Sequence, residues 1–243
     1  MDELAFHRVL YRPGTLVDVG AHDGAFTLPF AALPGARVLA FEPLPAAFAR
    51  LSAATAGLPD VTLRAEALGD AEGEATLALP VLDGVPQEQW ASTAKAYAGR
   101  DPRVAEARLT VTLRTLDGFG LTDATAIKLD AEGAEYAILR GARETLLRCR
   151  PILSVEIEER HREGATWAVP AFLDALGYDA FYEFWGEWRP MAGFDRAAMH
   201  RASPNPAEFA VSDPYVFAFY FLPREHAETM LARLRAAEDA SRR

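Results

Sequence analysis

Five short runs recur along the chain: TLVDVG (15–20), ARVLAFEP (36–43), VTLRAEAL (61–68), ATAIKLD (124–130) and PILSVEIE (151–158). Each is bounded by Gly, Pro or Asp, and they read as near-continuous apolar stretches rather than as an alternation of apolar and polar residues. Strands of that kind are buried on both faces, as in a parallel sheet covered by helices. Between the first three lie AFTLPFAALPG (25–35) and PAAFARLSAATAGLPD (45–60), where Ala and Leu recur with helical spacing up to a Gly or Pro. The pattern is βαβαβ, and the expected fold is α/β with a doubly wound, Rossmann-like sheet.

Beyond the fifth run the rhythm changes. Helix-like VPAFLDALG (169–177) leads into YDAFYEFW (178–185), and PYVFAFYFLP (214–223) follows with no strong helix just before it. The last two strands are therefore expected to be antiparallel. The Gly-, Pro-, Asn- and Ser-containing segment 186–213 reads as a long loop or lid. REHAETMLARLRAAEDASRR closes the chain with a helical pattern. A second departure is the stretch 72–116, where EATLALPV and RLTVTLRTL read as two extra strands around the polar, helix-capable PQEQWASTAKAYAG. That excursion is placed over the carboxyl edge of the sheet. With no internal repeat and no low-complexity linker, one domain is expected over 1–243.

Charge narrows the partners. The 25 Lys plus Arg stand against 35 Asp plus Glu, a formal charge of −10. Nucleic-acid and anionic-membrane binders concentrate positive charge against phosphates, so neither is expected here. A small ligand is. No stretch reaches the roughly 18 to 20 apolar residues of a membrane span, and MDELAFHRVLYRPG lacks the basic and apolar regions of a signal peptide. The single cysteine, Cys149, has no partner thiol for a disulfide or a CxxC site and reads as packing. A cytoplasmic protein is expected, and a homo-oligomer is left open.

Four groups of residues carry candidate chemistry. In Val17-Asp18-Val19-Gly20-Ala21-His22-Asp23-Gly24 an apolar strand enters a glycine turn and then a helix, whose free N–H groups suit a carboxylate or phosphate. The spacing is GxxxG with His at position 22, so the second glycine of a dinucleotide fingerprint is absent, which counts against NAD and FAD. Glu42 stands at the end of the second strand, where an acid can accept hydrogen bonds from the hydroxyls of a ribose, and Pro43 turns the chain to shape an adenosine slot. Next, strand periodicity puts Lys128 and Asp130 on one face, with Glu132 and Glu135 three apart on the helix that follows. An N-cap or capping-box role for Asp130 or Glu132 is the structural alternative. Last, Glu156 and Glu158 point the same way from the fifth strand with His161 nearby. With Asp130 they could act as a general base or hold a divalent cation.

Two features are set aside. SDPY (212–215) resembles the acid-Pro-Pro-Tyr signature of amino methyltransferases but precedes the last strand instead of ending the fourth. Trp90, Trp185 and Trp188 are assigned to packing.

In order, LVDVGAHDGAFT, AFEPLPAAFARL, EALGDAEGEATL, AST (91–93), VTLRTLDGF, IKLDAEGAEYAILRGA and PILSVEIE closely resemble the FkbM family of S-adenosylmethionine-dependent O-methyltransferases. The resemblance covers residues 15–158 and implies a class I methyltransferase fold, a seven-stranded, mostly parallel sheet with an antiparallel last strand. It implies S-adenosylmethionine as cofactor and S-adenosylhomocysteine as product. Asp18, Gly20, Gly24 and Glu42 become cofactor residues, with Ala21, His22, Thr27 and Pro43 in the same motifs. Glu66 and Ala67 become neighbours of the adenine, and Asp130 faces the methionine end or the reacting hydroxyl.

The implied chemistry is methyl transfer to a hydroxyl of a small acceptor, a sugar or glycan or a polyketide-like natural product, by in-line displacement. Positioning carries much of the barrier, and Asp130, Glu156 or His161 is the candidate general base. Magnesium or another divalent metal is left open, with Asp130 and Glu156 as its ligands. With about 14 residues before the first strand, the acceptor pocket is expected from 83–108 and 186–213. The competing readings are a NAD-dependent oxidoreductase and a non-catalytic nucleoside-binding module.

Overall fold

The computed structural model describes residues 1–98, 101–200 and 215–242. In chain order the elements are α1 (Glu3–Leu10), β1 (Gly14–Val19), α2 (Thr27–Ala31), β2 (Ala36–Phe41), α3 (Pro45–Ala54), β3 (Val61–Arg64), β4 (Ala67–Leu68), β5 (Gly73–Leu82), β6 (Val85–Pro86), β7 (Val104–Arg114), β8 (Ala124–Leu129), α4 (Glu135–Arg140) and α5 (Arg143–Cys149). They continue as β9 (Ile152–Glu156), α6 (Ala165–Ala175), β10 (Tyr178–Phe184), β11 (Glu187–Pro190), α7 (Arg196–Met199), β12 (Ala218–Pro223) and α8 (Ala227–Ser241). The chain divides into two compact units, Tyr11–Pro151 and Met1–Leu10 with Ile152–Arg243.

In the unit Tyr11–Pro151 the main layer runs β8-β1-β2-β3, every pair parallel. All six residues of β1 and all six of β8 are buried, the two-sided burial that the apolar runs demand. The register sets Asp18 beside Ala40 on one side and Lys128 on the other, so a buried acid and a lysine share one rung. Helix α2 is short, with Pro29 in its first turn, where no intrahelical N–H bond is lost, and Pro34 beyond its end. Helix α3 begins with Pro45, whose fixed φ suits that position.

A second sheet of this unit runs in order β4-β7-β5-β6, with β5, β6 and β7 supplied by the excursion 72–116 and β4 by Ala67–Leu68 just before it. Strands β5 and β7 pair antiparallel over ten rungs, Gly73 with Leu113 through Leu82 with Val104. Leu77 and Val111 of its inner face pack with Leu44, Ala47 and Ala67. Those last three sit just past the carboxyl ends of β2 and β3, and this contact brings the excursion to that edge of the main layer.

In the other unit β12 is antiparallel to both β9 and β10, and β11 closes a hairpin with β10. The antiparallel pairing expected of the final strands is present. The main-layer strands number four in each unit, eight against the seven expected. The difference is β11, which lies in the segment 186–213 expected to be loop. Its Trp188 is 5% exposed and rests against Phe6 and Tyr220, so burial of one indole holds four residues in a strand. Residues 201–213 of that expected lid lie outside the described residues, as do residues 212–214 of SDPY. In the helix-capable stretch 86–99 the only helical turn among the described residues is the 3-10 turn Glu88–Trp90, and Ser92 forms a β-bridge with Ala78. No described helix is long and apolar enough to cross a membrane.

Candidate functional site

Within Tyr11–Pro151 the carboxyl ends of β1, β2, β3 and β8 border a cavity of about 300 Å³, closed in part by the strap 88–93. Gly20, Ala21, His22, Glu42, Pro43, Glu66, Ala67 and Asp130 all line it. Crevices outside the carboxyl ends of parallel strands are where open α/β sheets take ligands. The wall carries five carboxylates, Glu42, Glu66, Glu88, Asp130 and Glu132, against one lysine, Lys128, among its lining residues.

Gly20 is required by its backbone. Its φ is +74°, and a Cβ there would stand 1.9 Å from the carbonyl oxygen of Asp130. Glycine thus lets the ends of β1 and β8 come together, which is a strand-to-strand approach as much as a ligand one. His22 follows at φ +45°, held by Glu42, whose Oε2 accepts the His22 N–H at 2.8 Å while Oε1 accepts the Leu44 N–H at 2.8 Å. Glu42 is 6% exposed. Burial raises its pKa against the pull of those two backbone N–H groups. Each oxygen has a further lone pair, so the carboxylate can accept two hydroxyls from the cavity.

Asp18, Gly24 and Thr27 do not line the cavity. Asp18 is fully buried and accepts the Thr27 hydroxyl at 2.6 Å. Its other oxygen lies 3.8 Å from Lys128 Nζ. Burial pushes this carboxyl up, opposed by Lys128 and the Thr27 hydrogen bond. Lys128 donates to the Gly20 carbonyl at 3.1 Å and stands 3.6 Å from Asp130 Oδ2 and 5.1 Å from the Phe26 ring centre. The same-face expectation for Lys128 and Asp130 fits this distance. At Gly24 φ is +88° and a Cβ would meet Leu51 Cδ1 at 3.0 Å, so that glycine serves the packing of the turn.

The turn after β8 differs from the expected helix start. Helix α4 begins only at Glu135, and Glu132 is off the helix with φ +54°. No side chain, Asp130 and Glu132 included, caps α4, whose N-cap position is Ala134; Glu135 Oε1 instead accepts the N–H groups of Ala131 and Gly133 in the turn before it, each at 3.0 Å. Burial lifts the Glu135 carboxyl to about 7 in spite of those bonds.

Glu156, Glu158 and His161 belong to the other unit. Glu156 ends β9 and is half-buried. Glu158 is enclosed: Arg160 donates to it at 2.7 Å, the Tyr215 hydroxyl at 2.6 Å, and His161 Nε2 lies 3.3 Å away. Burial would raise its carboxyl, but Arg160, His161 and Tyr215 outweigh that and leave it lowered. Glu158 is therefore an ion-pair centre that orients its neighbours.

The strap was not singled out as cofactor wall from sequence. Glu88, Gln89, Ala91 and Thr93 line the cavity. Arg50 ties Glu88 and, at 2.8 Å, Asp23, while Lys95 pairs with Glu132 and the Ser92 hydroxyl donates to the Glu132 carbonyl at 2.7 Å. The strap falls in the stretch 83–108 expected to form the acceptor pocket, and Ser92 of the AST motif meets Glu132, 40 positions away.

A doubly wound sheet with its crevice at the parallel strand ends and an antiparallel β12 defines the class I methyltransferase fold. The Methyltransferase FkbM domain matches residues 18–188, and the chain belongs to that family. A solved FkbM methyltransferase from Methylobacillus flagellatus KT superposes with TM-score 0.51 at 15% identity, over 90% of this chain and 50% of that one. The chain thus spans half the length of that relative. A precorrin-6y C5,15-methyltransferase from Geobacter metallireducens GS-15 aligns with TM-score 0.46 at 13% identity, over 90% of this chain and 85% of that one. A methyltransferase-like protein from Streptococcus mutans, solved with S-adenosylhomocysteine, aligns with TM-score 0.47 at 13% identity, covering 90% and 94%. No curated protein matches the chain.

Proposed function

We propose that this chain transfers the methyl group of S-adenosylmethionine to a hydroxyl of a small acceptor, a sugar or glycan or a polyketide-like natural product. The observation that carries the reading is the cavity wall at the ends of parallel strands, where Glu42 and Glu66 stand beside three carboxylates, Glu88, Asp130 and Glu132, that are paired with Arg50, Lys128 and Lys95. The two further carboxylates, Glu42 and Glu66, suit a cationic nucleoside better than the pyrophosphate of a dinucleotide. The residues fit the cofactor: Glu42 keeps two acceptor positions that would take a ribose diol, Glu66 and Ala67 would border the adenine, and Asp130 would face the methionine end or the acceptor.

When bound, the sulfonium supplies an already activated methyl group. The chain's part is to orient the acceptor and withdraw its proton. Asp130, 42% exposed at the side chain, is open to take that proton, a contribution of about 10² to 10⁴ in rate. Lys128, at 3.6 Å, holds the carboxylate against the strand ends. Glu156 and His161 remain the alternative bases.

The test is transfer of labelled methyl from S-adenosylmethionine to a panel of sugars, glycans and polyketide alcohols. Labelled O-methyl ether supports the reading; label found only on nitrogen or carbon acceptors refutes the hydroxyl assignment.

A further inference from the structure

The turn 130–134 contributes Asp130, Ala131 and Glu132 to the cavity wall. Its backbone is one that side-chain-bearing residues avoid, with Glu132 at φ +54° and Gly133 at φ +103°. Such conformations persist only where the surroundings over-determine them. Two groups from different parts of the chain do so. Ser92, 1% exposed, donates its hydroxyl to the Glu132 carbonyl at 2.7 Å and accepts the N–H groups of Ala94 and Lys95 at 3.0 and 3.2 Å. Ser92 is itself fixed to Ala78 of β5 by two backbone bonds of 2.8 and 3.0 Å. On the turn's other flank Glu135, 4% exposed, accepts the N–H groups of Ala131 and Gly133.

We propose that Ser92 and Glu135 are positioning residues that clamp the 130–134 turn from two sides and so set Asp130 in the cavity wall. The inference rests on the cofactor reading given above. Successive backbone groups of the turn, the Ala131 N–H, the Glu132 carbonyl and the Gly133 N–H, are each taken by one of these two side chains. The Lys95 ammonium adds a hold on the Glu132 carboxylate. Neither Ser92 nor Glu135 lines the cavity, so both act through the turn.

Ser92→Ala, Glu135→Met and Glu135→Gln in the full chain separate positioning from bulk stability. Amide hydrogen exchange across 130–134 is expected to accelerate about tenfold in Ser92→Ala and Glu135→Met while β1 and β8 keep their protection. The dissociation constant of S-adenosylhomocysteine, measured by calorimetry, is expected to rise about fivefold or more in the same two variants, the loss of about one hydrogen bond. Glu135→Gln retains an acceptor oxygen for both N–H groups and is expected to stay within about twofold of wild type. If Glu135→Met does not fold, Ser92→Ala decides alone. Unchanged exchange at the turn, or accelerated exchange with unchanged affinity, overturns the clamp. A wild-type protein that binds neither S-adenosylmethionine nor S-adenosylhomocysteine instead overturns the cofactor reading, and the clamp's role with it.

Discussion

Thr27 donates its hydroxyl to Asp18 at 2.6 Å, joining the start of α2 to the middle of the motif VDVG where neither side chain reaches the cavity. The pair closes the β1 turn from beneath. Thr27→Val removes the donor and leaves a buried carboxylate oxygen unpaired, which costs about 1–3 kcal/mol. Urea unfolding should show that loss, with affinity for S-adenosylhomocysteine held within about threefold, under 1 kcal/mol. Normal stability with collapsed affinity would make Thr27 a ligand contact instead.

Glu42 has two tasks, fixing the His22 and Leu44 N–H groups and facing the cavity. Glu42→Ala is expected to weaken binding of S-adenosylhomocysteine by about 10- to 100-fold, the scale of losing one or two charged hydrogen bonds. Titration calorimetry measures it. An unchanged dissociation constant would remove Glu42 from the ribose position.

Glu135 makes stability depend on pH. Its folded pKa of about 7 lies above the ordinary 4.5, so between those values the folded state binds more protons than the unfolded state. Stability contributed by this group is therefore full below about pH 4.5 and falls as pH rises toward 7, by about 3 kcal/mol at roughly 1.4 kcal/mol per pKa unit. Asp18 and Glu42, also raised by burial, slope the same way, so the comparison is with Glu135→Gln. That variant should gain on wild type between pH 5 and 8 in urea melts. Parallel curves would contradict the assignment.

Asp130→Asn keeps shape and removes the base. Turnover on an accepted hydroxyl substrate should fall by about 10² or more, while affinity for S-adenosylhomocysteine changes by less than about tenfold. Retained turnover would remove Asp130 as the base.

Much of this site is local in sequence. The apolar runs, the glycine turn and the acid at the end of β2 are decided by neighbours within a few positions, and they place Gly20, Glu42, Pro43 and Asp130 at one edge. The hold on Glu132 is different in kind. Ser92 and Lys95 meet it across about 40 positions, because the excursion sheet docks on Leu44 and Ala47, and no local period reports such docking. Strand β11 escaped for a similar reason, since Trp188 is buried by Phe6 and Tyr220 from remote elements. The spacing suggests a helix-face acid at Glu135, whereas the positive φ of Glu132 and Gly133 delays the helix to Glu135, whose carboxylate turns back to hold the 131–133 backbone.

The central claim, a cavity for S-adenosylmethionine, is tested most directly by thermal unfolding with S-adenosylmethionine, S-adenosylhomocysteine and NADH in parallel. At about 100 times its dissociation constant a ligand of the native state adds about 2.7 kcal/mol, a rise in midpoint of roughly 5 to 11 °C for a chain of this size. The account predicts that rise with the first two and none with NADH. A rise with NADH alone, or with none of the three, would contradict it.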